Sequence, residues 1–376
     1  MFDKRIKLFK LLGFQVNIDL SWIIIAILVT WSLSTGLFPF RYKNLSPQTY
    51  WMMGIVGALG FFLSIVVHEF SHSVVARKYG IPMKGITLFI FGGVAEMGQE
   101  PTSPKVEFMT AIMGPISSIA IALVFYGIYK TGLGGTFSAP VMGVVGYLAW
   151  INAILAAFNL VPAFPLDGGR VLRSILWRIK GDLRKATRIS SNIGSGFGLF
   201  MIFYGLFTIL KGNFVGGMWW VLIGMFLQGA AKASYQQMVV RKTLEGEPLK
   251  KFMKAEPVTV SPELSIDQLV EDYVYRFHFK MFPVVETGDR LVGCVTTRQI
   301  KEIPRGAWSE KKVGDVAKGC TGENTIDLGA DAVDALTTMR RTGNSRLMVV
   351  EGNRLAGVIA LKDMLEWLSL KMELEA

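Results

Sequence analysis

The sequence predicts a polytopic α-helical membrane protein, with about six transmembrane helices and a small membrane-associated β-sheet, followed by a soluble α/β unit. Three observations carry that prediction: an apolar bulk, six windows of spanning length, and a change of texture past residue 236, where one pattern occurs twice. Of the 376 residues 51% are hydrophobic and the mean hydropathy is +0.40, too apolar for an ordinary soluble domain.

The opening DKRIKLFKLLGFQVN is basic and has no small-residue cleavage site after it, so it is expected to stay as a cytoplasmic leader and interfacial anchor. A bilayer core takes about 20 mostly apolar residues per helix. Windows 20–39, 51–76, 105–129, 139–160, 193–211 and 215–232 meet that requirement. Between the second and third, IPMKGITLFIFGGVAEMGQ (81–99) is too short and broken to span. Its β-rich, glycine-paired pattern suggests a hairpin or re-entrant sheet covered by protein, because open strands in lipid leave backbone groups unpaired. The plain alternative is an interfacial loop.

Lys and Arg concentrate in DKRIKLFK, RKYGIPMK, RVLRSILWRIKGDLRKATR and KASYQQMVVRK, and are sparse in RYKNLSPQ, TGLGGTFSAP and KGNF. That asymmetry predicts a multi-pass protein of the cell membrane with both termini cytoplasmic. The net charge of +11 lies beside hydrophobic segments and in the C-terminal part rather than in one aromatic-studded patch, which suits the lipid bilayer as partner and excludes nucleic acid. The two cysteines, Cys294 and Cys320, imply no disulfide framework and a reducing compartment.

Past residue 236 two similar halves follow one another. Each runs from a short extended segment into an amphipathic helix, an apolar strand (FPVVE, LMVVE), a turn (TGDR, EGNR), a second strand (LVGCVT, LAGVIA) and a closing helix, an internal repeat. The expected organisation is a membrane domain over 1–236, a linker over 237–248, and repeat halves over 249–310 and 311–376.

The chemistry is concentrated in VVHEFSHSVV. His68 and His72, four residues apart, lie one above the other on a helix face, where two imidazoles can meet one metal ion. Glu69 is turned about 100° away, toward a metal-bound water rather than the metal. Such an H-E-x-x-H segment is the device of zinc hydrolases, and ionisable groups in a spanning helix are functional by default. A catalytic zinc takes three protein ligands and keeps an open position. The remaining histidine, His278, belongs to the soluble repeat, so the third ligand is sought among carboxylates. Asp167, in FNLVPAFPLDGGR, ends the fourth span; its alternative role is to N-cap the helix that follows. With the N-terminus inside, spans two and four both run outward to inward, so His68, His72 and Asp167 fall at similar depth on the cytoplasmic side.

On these two motifs the chain resembles the site-2 proteases, intramembrane zinc metalloproteases, of the subclass with a C-terminal pair of CBS domains. The family's H-E-x-x-H corresponds to His68, Glu69 and His72, and its N-x-x-P-x-x-x-x-D-G to Asn159, Pro162, Asp167 and Gly168. The resemblance spans essentially the whole chain. It implies one Zn2+ per chain on His68, His72 and Asp167, Glu69 as general base and acid, and Asn159 as a donor to the scissile carbonyl or its oxyanion. The strand around Gly92, Gly93 and Val94 would offer its edge to an unwound substrate. The third span departs from the pattern: Ser117 and Ser118 follow Gly114 and Pro115 where relatives often carry asparagine. The implied substrate is a transmembrane protein with helix-weakening residues near the cut, such as an anti-sigma factor or another membrane-tethered transcription regulator.

The repeat halves resemble CBS domains, which pair into one module and often bind adenine nucleotides. Asp363 in VIALKDML stands where such domains commonly contact ribose, while VTTRQI keeps Thr296 but has Gln299 where aspartate is usual. One site for ATP or AMP is therefore expected, not two. The alternative is a structural module that makes a homodimer through the CBS domains. For the whole chain, a CBS-regulated transporter or channel is the rival reading. It leaves unexplained a glutamate between two histidines at metal spacing with an aspartate at matching depth.

Overall fold

The computed structural model describes residues 5–90, 92–97, 100–132, 135, 137–288 and 290–374. Two compact units divide the chain, Met1–Gln236 and Gln237–Ala376.

The first unit begins with strands where a leader was expected. Strand β1 (Arg5–Leu11) pairs antiparallel with β2 (Phe14–Asp19). Phe14, Val16 and Ile18 of β2 are buried and the residues between them half-exposed, the period of two that a one-sided sheet requires. The basic, partly apolar RIKLFKL, expected as an interfacial leader with no element assigned to it, is a strand because β2 offers it a ladder that satisfies its backbone. On its other side β2 runs parallel to β3 (Met83–Phe89), which turns back antiparallel into β4 (Gly92–Met97). The order β1-β2-β3-β4 leaves β4 at the edge. Phe91, Gly98 and Gln99 lie outside the described residues.

The helices that begin in this unit are α1 (Ser21–Arg41), α2 (Pro47–Lys78), α3 (Pro104–Gly132), α4 (Ala139–Asn159), the short α5 (Asp167–Lys180), α6 (Leu183–Leu210) and α7 (Phe214–Leu244), whose last residues belong to the second unit. Among the described residues six of them, all but α5, are long and apolar enough to cross a membrane. Ser46 caps α2 by accepting from the Thr49 amide at 3.2 Å, with Pro47 as the first helical residue, whose missing N–H is no loss there. Ile24, Leu59, Leu123 and Phe203 are exposed, a surface that hydrocarbon tolerates and water does not. Polar and small residues turn inward instead. Asn152 of α4 donates to Ser64 Oγ of α2 at 3.0 Å. Helices α6 and α7 meet backbone to backbone: a Cβ at Gly198 would lie 2.7 Å from the Gly224 carbonyl, and one at Gly205 2.6 Å from that of Gly217.

In the second unit, residues 237–248, expected as a linker, are helical as far as Leu244, and Leu244 and Leu249 pack into the unit's own core with Leu347, Val349 and Ile359. A second core gathers Phe282, Val284 and Val295. The main sheet runs in the order Met281–Glu286, Arg290–Thr296, Arg354–Ala360, Arg346–Glu351, Thr325–Asp327. Both hairpins shift register at the same point of their repeats, between Val284 and Val285 and between Val349 and Val350, so the duplication extends to the bulge.

Candidate metal centre

His68 and His72 project from α2 one turn apart, each only 3% exposed. Their Nε2 atoms are 3.3 Å from each other, and Asp167 Oδ2, brought by the first residue of α5, lies 3.0 Å from His68 Nε2 and 3.1 Å from His72 Nε2. The N-cap of α5 is Leu166; the Asp167 carboxylate turns to the histidines and does not cap the helix.

The opposite ring nitrogens are held by α3. His72 Nδ1 donates to the Thr110 carbonyl at 2.7 Å, a partner that can only accept. A neutral His72 ring therefore carries its proton on Nδ1 and presents the Nε2 lone pair. His68 Nδ1 sits 2.9 Å from Ser118 Oγ, which can accept in the same way. Neutral imidazoles protonated at Nδ1 turn two lone pairs toward the Asp167 carboxylate oxygen, an arrangement that a cation among them satisfies. The edges of a tetrahedral zinc site with bonds of about 2.0–2.1 Å are about 3.3 Å. The observed separations match that size, so the residues present fit zinc.

Space for the ion comes from one residue. A Cβ on Gly114 of α3 would lie 2.2 Å from His72 Nε2 and 2.6 Å from His68 Nε2, directly where these atoms converge. Glu107 of α3 ties the same helix to α5: it accepts from Arg173 Nε at 2.6 Å and also contacts Nη2, with both side chains buried. The Arg173 guanidinium further stacks over Phe164, 5.0 Å from the ring centre, in the loop that delivers Asp167. Glu107, Thr110, Gly114 and Ser118 thus form one face of α3 devoted to this centre.

Beside the centre opens a cavity of about 520 Å³ walled by α1, α2, α4, α7 and the β3–β4 hairpin, with Trp22, Phe62, Tyr147 and Phe226 among its apolar lining. His68, Glu69 and Asn159 supply polar groups to it, and Gly92 and Gly93 reach it from the edge strand. Strand β4 passes so close to Glu69 that a Cβ on Gly93 would stand 2.5 Å from Glu69 Cγ. Asn159, the last residue of α4, donates one amide hydrogen to the Leu155 carbonyl at 3.0 Å. Val94 pairs with Thr87 in the hairpin ladder; its side chain is outside the described set.

Of the residues singled out in the sequence, His68, Glu69, His72, Asn159, Asp167, Gly92 and Gly93 meet around one centre and its cavity. Thr296 and Asp363 belong to the other unit, and His278 is exposed there. Thr296 caps the helix Thr297–Lys301, its Oγ1 2.6 Å from Gln299 Oε1, and Asp363 lies half-buried in the first turn of Leu361–Leu374. Sequence reasoning missed Glu107, Thr110, Gly114 and Arg173, and took Ser118 only as a departure. Their signal was available: polar and small residues recurring at helical spacing inside an apolar span.

Comparison with known proteins gives a consistent result. The model of peptidase family M50 matches residues 56–137 and 127–203, and that of the CBS domain residues 249–306 and 313–370. Rip3 of Mycobacterium tuberculosis (strain H37Rv) is 33% identical over 359 residues, 95% of this chain and 91% of its own. Zinc metalloprotease MJ0392 of Methanocaldococcus jannaschii is 31% identical over 367 residues, 97% of this chain and 96% of its own. Among solved structures, the site-2 protease from Methanocaldococcus jannaschii is 31% identical, covering 61% of this chain and 94% of that one at a TM-score of 0.45.

Proposed function

The chain belongs to peptidase family M50 and carries a tandem CBS pair, and from that premise we propose that it is an intramembrane zinc metalloprotease. It hydrolyses a peptide bond within or near the transmembrane segment of a membrane-tethered regulatory protein, an anti-sigma factor or membrane-tethered transcription factor. The observation that carries this reading is the meeting of His68, His72 and Asp167 at the wall of an apolar cavity that Glu69 shares.

Zinc, when bound, supplies a Lewis acid that polarises a carbonyl and makes water a nucleophile near neutral pH. His68, His72 and Asp167 would hold it through Nε2, Nε2 and Oδ2. Glu69 takes a proton from the attacking water at its carboxylate and returns it to the leaving amine nitrogen, so protons balance over one hydrolysis. Asn159 has a second amide hydrogen beyond the one given to Leu155, and directs it at the carbonyl oxygen that gains charge. The apolar walls restrict water to the polar corner. Strand β4, at the sheet edge, pairs with substrate backbone freed by unwinding and offsets part of the lost helix hydrogen bonds.

In the membrane the N-terminus and the CBS pair face the cytoplasm, as the distribution of Lys and Arg favours. One adenine nucleotide, ATP or AMP, binds the CBS pair with Asp363 at the ribose; Thr296, whose hydroxyl is engaged by Gln299, contributes through its strand position. A titration of the full-length protein that yields no heat with either nucleotide would leave the pair a structural dimerisation module.

The decisive experiment is Glu69→Gln. The variant is expected to bind one zinc per chain and to cleave nothing from a panel of candidate membrane-tethered regulators. Proteolysis retained with stoichiometric zinc overturns the assignment of Glu69, and failure of the wild type to bind zinc overturns the proposed centre.

A further inference from the structure

Helix α5 lies between two consecutive spans, α4 and α6, and is itself too short to span: its 14 residues make about 21 Å against a core of about 30 Å. It therefore starts and ends at one membrane face. The Arg173 and Ser174 side chains turn inward to the protein. Roughly opposite to them, at about 100° per residue, Leu172, Ile175, Leu176 and Ile179 form one stripe. Ile175 is 43% and Ile179 74% exposed, the reverse of what a cytosolic surface helix shows its solvent.

Cations border the stripe. Arg178 and Lys180, both exposed, stand about 100° to either side of it. Gly181, at φ +67°, turns the chain into α6, whose first turns expose Arg184, Lys185 and Arg188. Lys185 pairs with Asp182 at 3.7 Å and Arg184 stands close to the same carboxylate, while among the described residues Arg178, Lys180 and Arg188 form no ion pair. An apolar stripe between two lines of cations, held at a membrane face by the spans on either side, has one complementary surface: acyl chains beneath negative phosphates.

We propose that α5 is an in-plane interfacial helix whose exposed face binds anionic phospholipid headgroups, with Arg178, Lys180, Arg184 and Arg188 as the headgroup contacts. The same helix carries Asp167 at its N-terminal end.

The test uses the full-length protein in nanodiscs of phosphatidylcholine with or without phosphatidylglycerol. Spin-labelled lipids of each headgroup report their relative association with the protein. Wild type is expected to prefer phosphatidylglycerol by about five-fold or more, and the R178Q/K180Q/R184Q/R188Q variant to lose about half or more of that preference, the rest belonging to the other basic segments. Zinc content and helical circular dichroism confirm that the variant is folded. Independently, Ile179→Cys in a C294S/C320S background, carrying a fluorescent label, is expected to be quenched by shallow doxyl lipid and not by aqueous iodide. A wild type at parity, a variant that keeps the preference, or a label reached by iodide instead of lipid overturns the proposal. So does a label shielded only as the protein-to-lipid ratio rises, which would mean a second copy covers the stripe.

Discussion

Polar residues serve opposite ends in the two units of this chain. In the membrane unit His68 and Asp167 stand 99 residues apart in sequence and 3.0 Å apart in space, and both histidines of the centre are held by partners on a third helix, α3. In the CBS unit the polar residues that drew attention are used locally: Thr296 and Gln299 close a capping box on each other, and Ser265 and Gln268 do the same one helix earlier. The difference lies in the surroundings. Next to water a hydroxyl or amide finds a partner within its own turn, so a local pair reports secondary structure. Inside an apolar bundle an unpaired polar group is expensive, so polar groups from distant segments that meet there report something that needs them together.

That contrast can be broken most severely at Gly114. Gly114→Val puts carbon where the Nε2 atoms converge and is expected to abolish zinc binding with the helices intact, read as metal content against circular dichroism. Normal zinc content in the folded variant would show that α3 does not shape the centre. Next in size is Arg173→Met, which strands the buried Glu107 carboxylate and is expected to destabilise the protein by about 3–5 kcal/mol. Adding Glu107→Met should restore much of that loss in thermal unfolding in detergent; a double variant no better than the single one denies the coupling.

Ser118→Ala sharpens the comparison by removing one orienting hydrogen bond and no ligand. Zinc affinity should fall about 10- to 100-fold by competition with a chelator, and Ser118→Thr, which keeps a hydroxyl, should lose less. The smallest effect belongs to the CBS unit. Gln299→Ala opens one capping box and is expected to lower that unit's stability by about 1 kcal/mol, with zinc content and peptide cleavage unchanged. A change in zinc affinity there would erase the distinction between local and long-range polar groups.

The same distinction explains what was legible beforehand. The six spans could be read because a lipid-facing helix must be apolar over its length, a requirement on composition alone. The histidine pair could be read because helical geometry makes i and i+4 neighbours wherever the helix goes. The leader could not be read as β1, since RIKLFKL is a strand only by virtue of β2, and β2 in turn rests on β3 some seventy residues on. Ser118 is the clearest case: as a departure from a pattern it put only helix packing in question, and in three dimensions it is the partner of His68 Nδ1.

By itself, then, the sequence determined the solvent each segment requires, the two-histidine face with its glutamate, and the duplication in the second unit, all of which follow from composition and from periods of a few residues. Tertiary structure alone decided which helix holds the far ring nitrogens, how its buried glutamate is tied to Arg173, and which glycine leaves the imidazoles room. These depend on contacts between segments tens of residues apart, and no local period encodes such a distance.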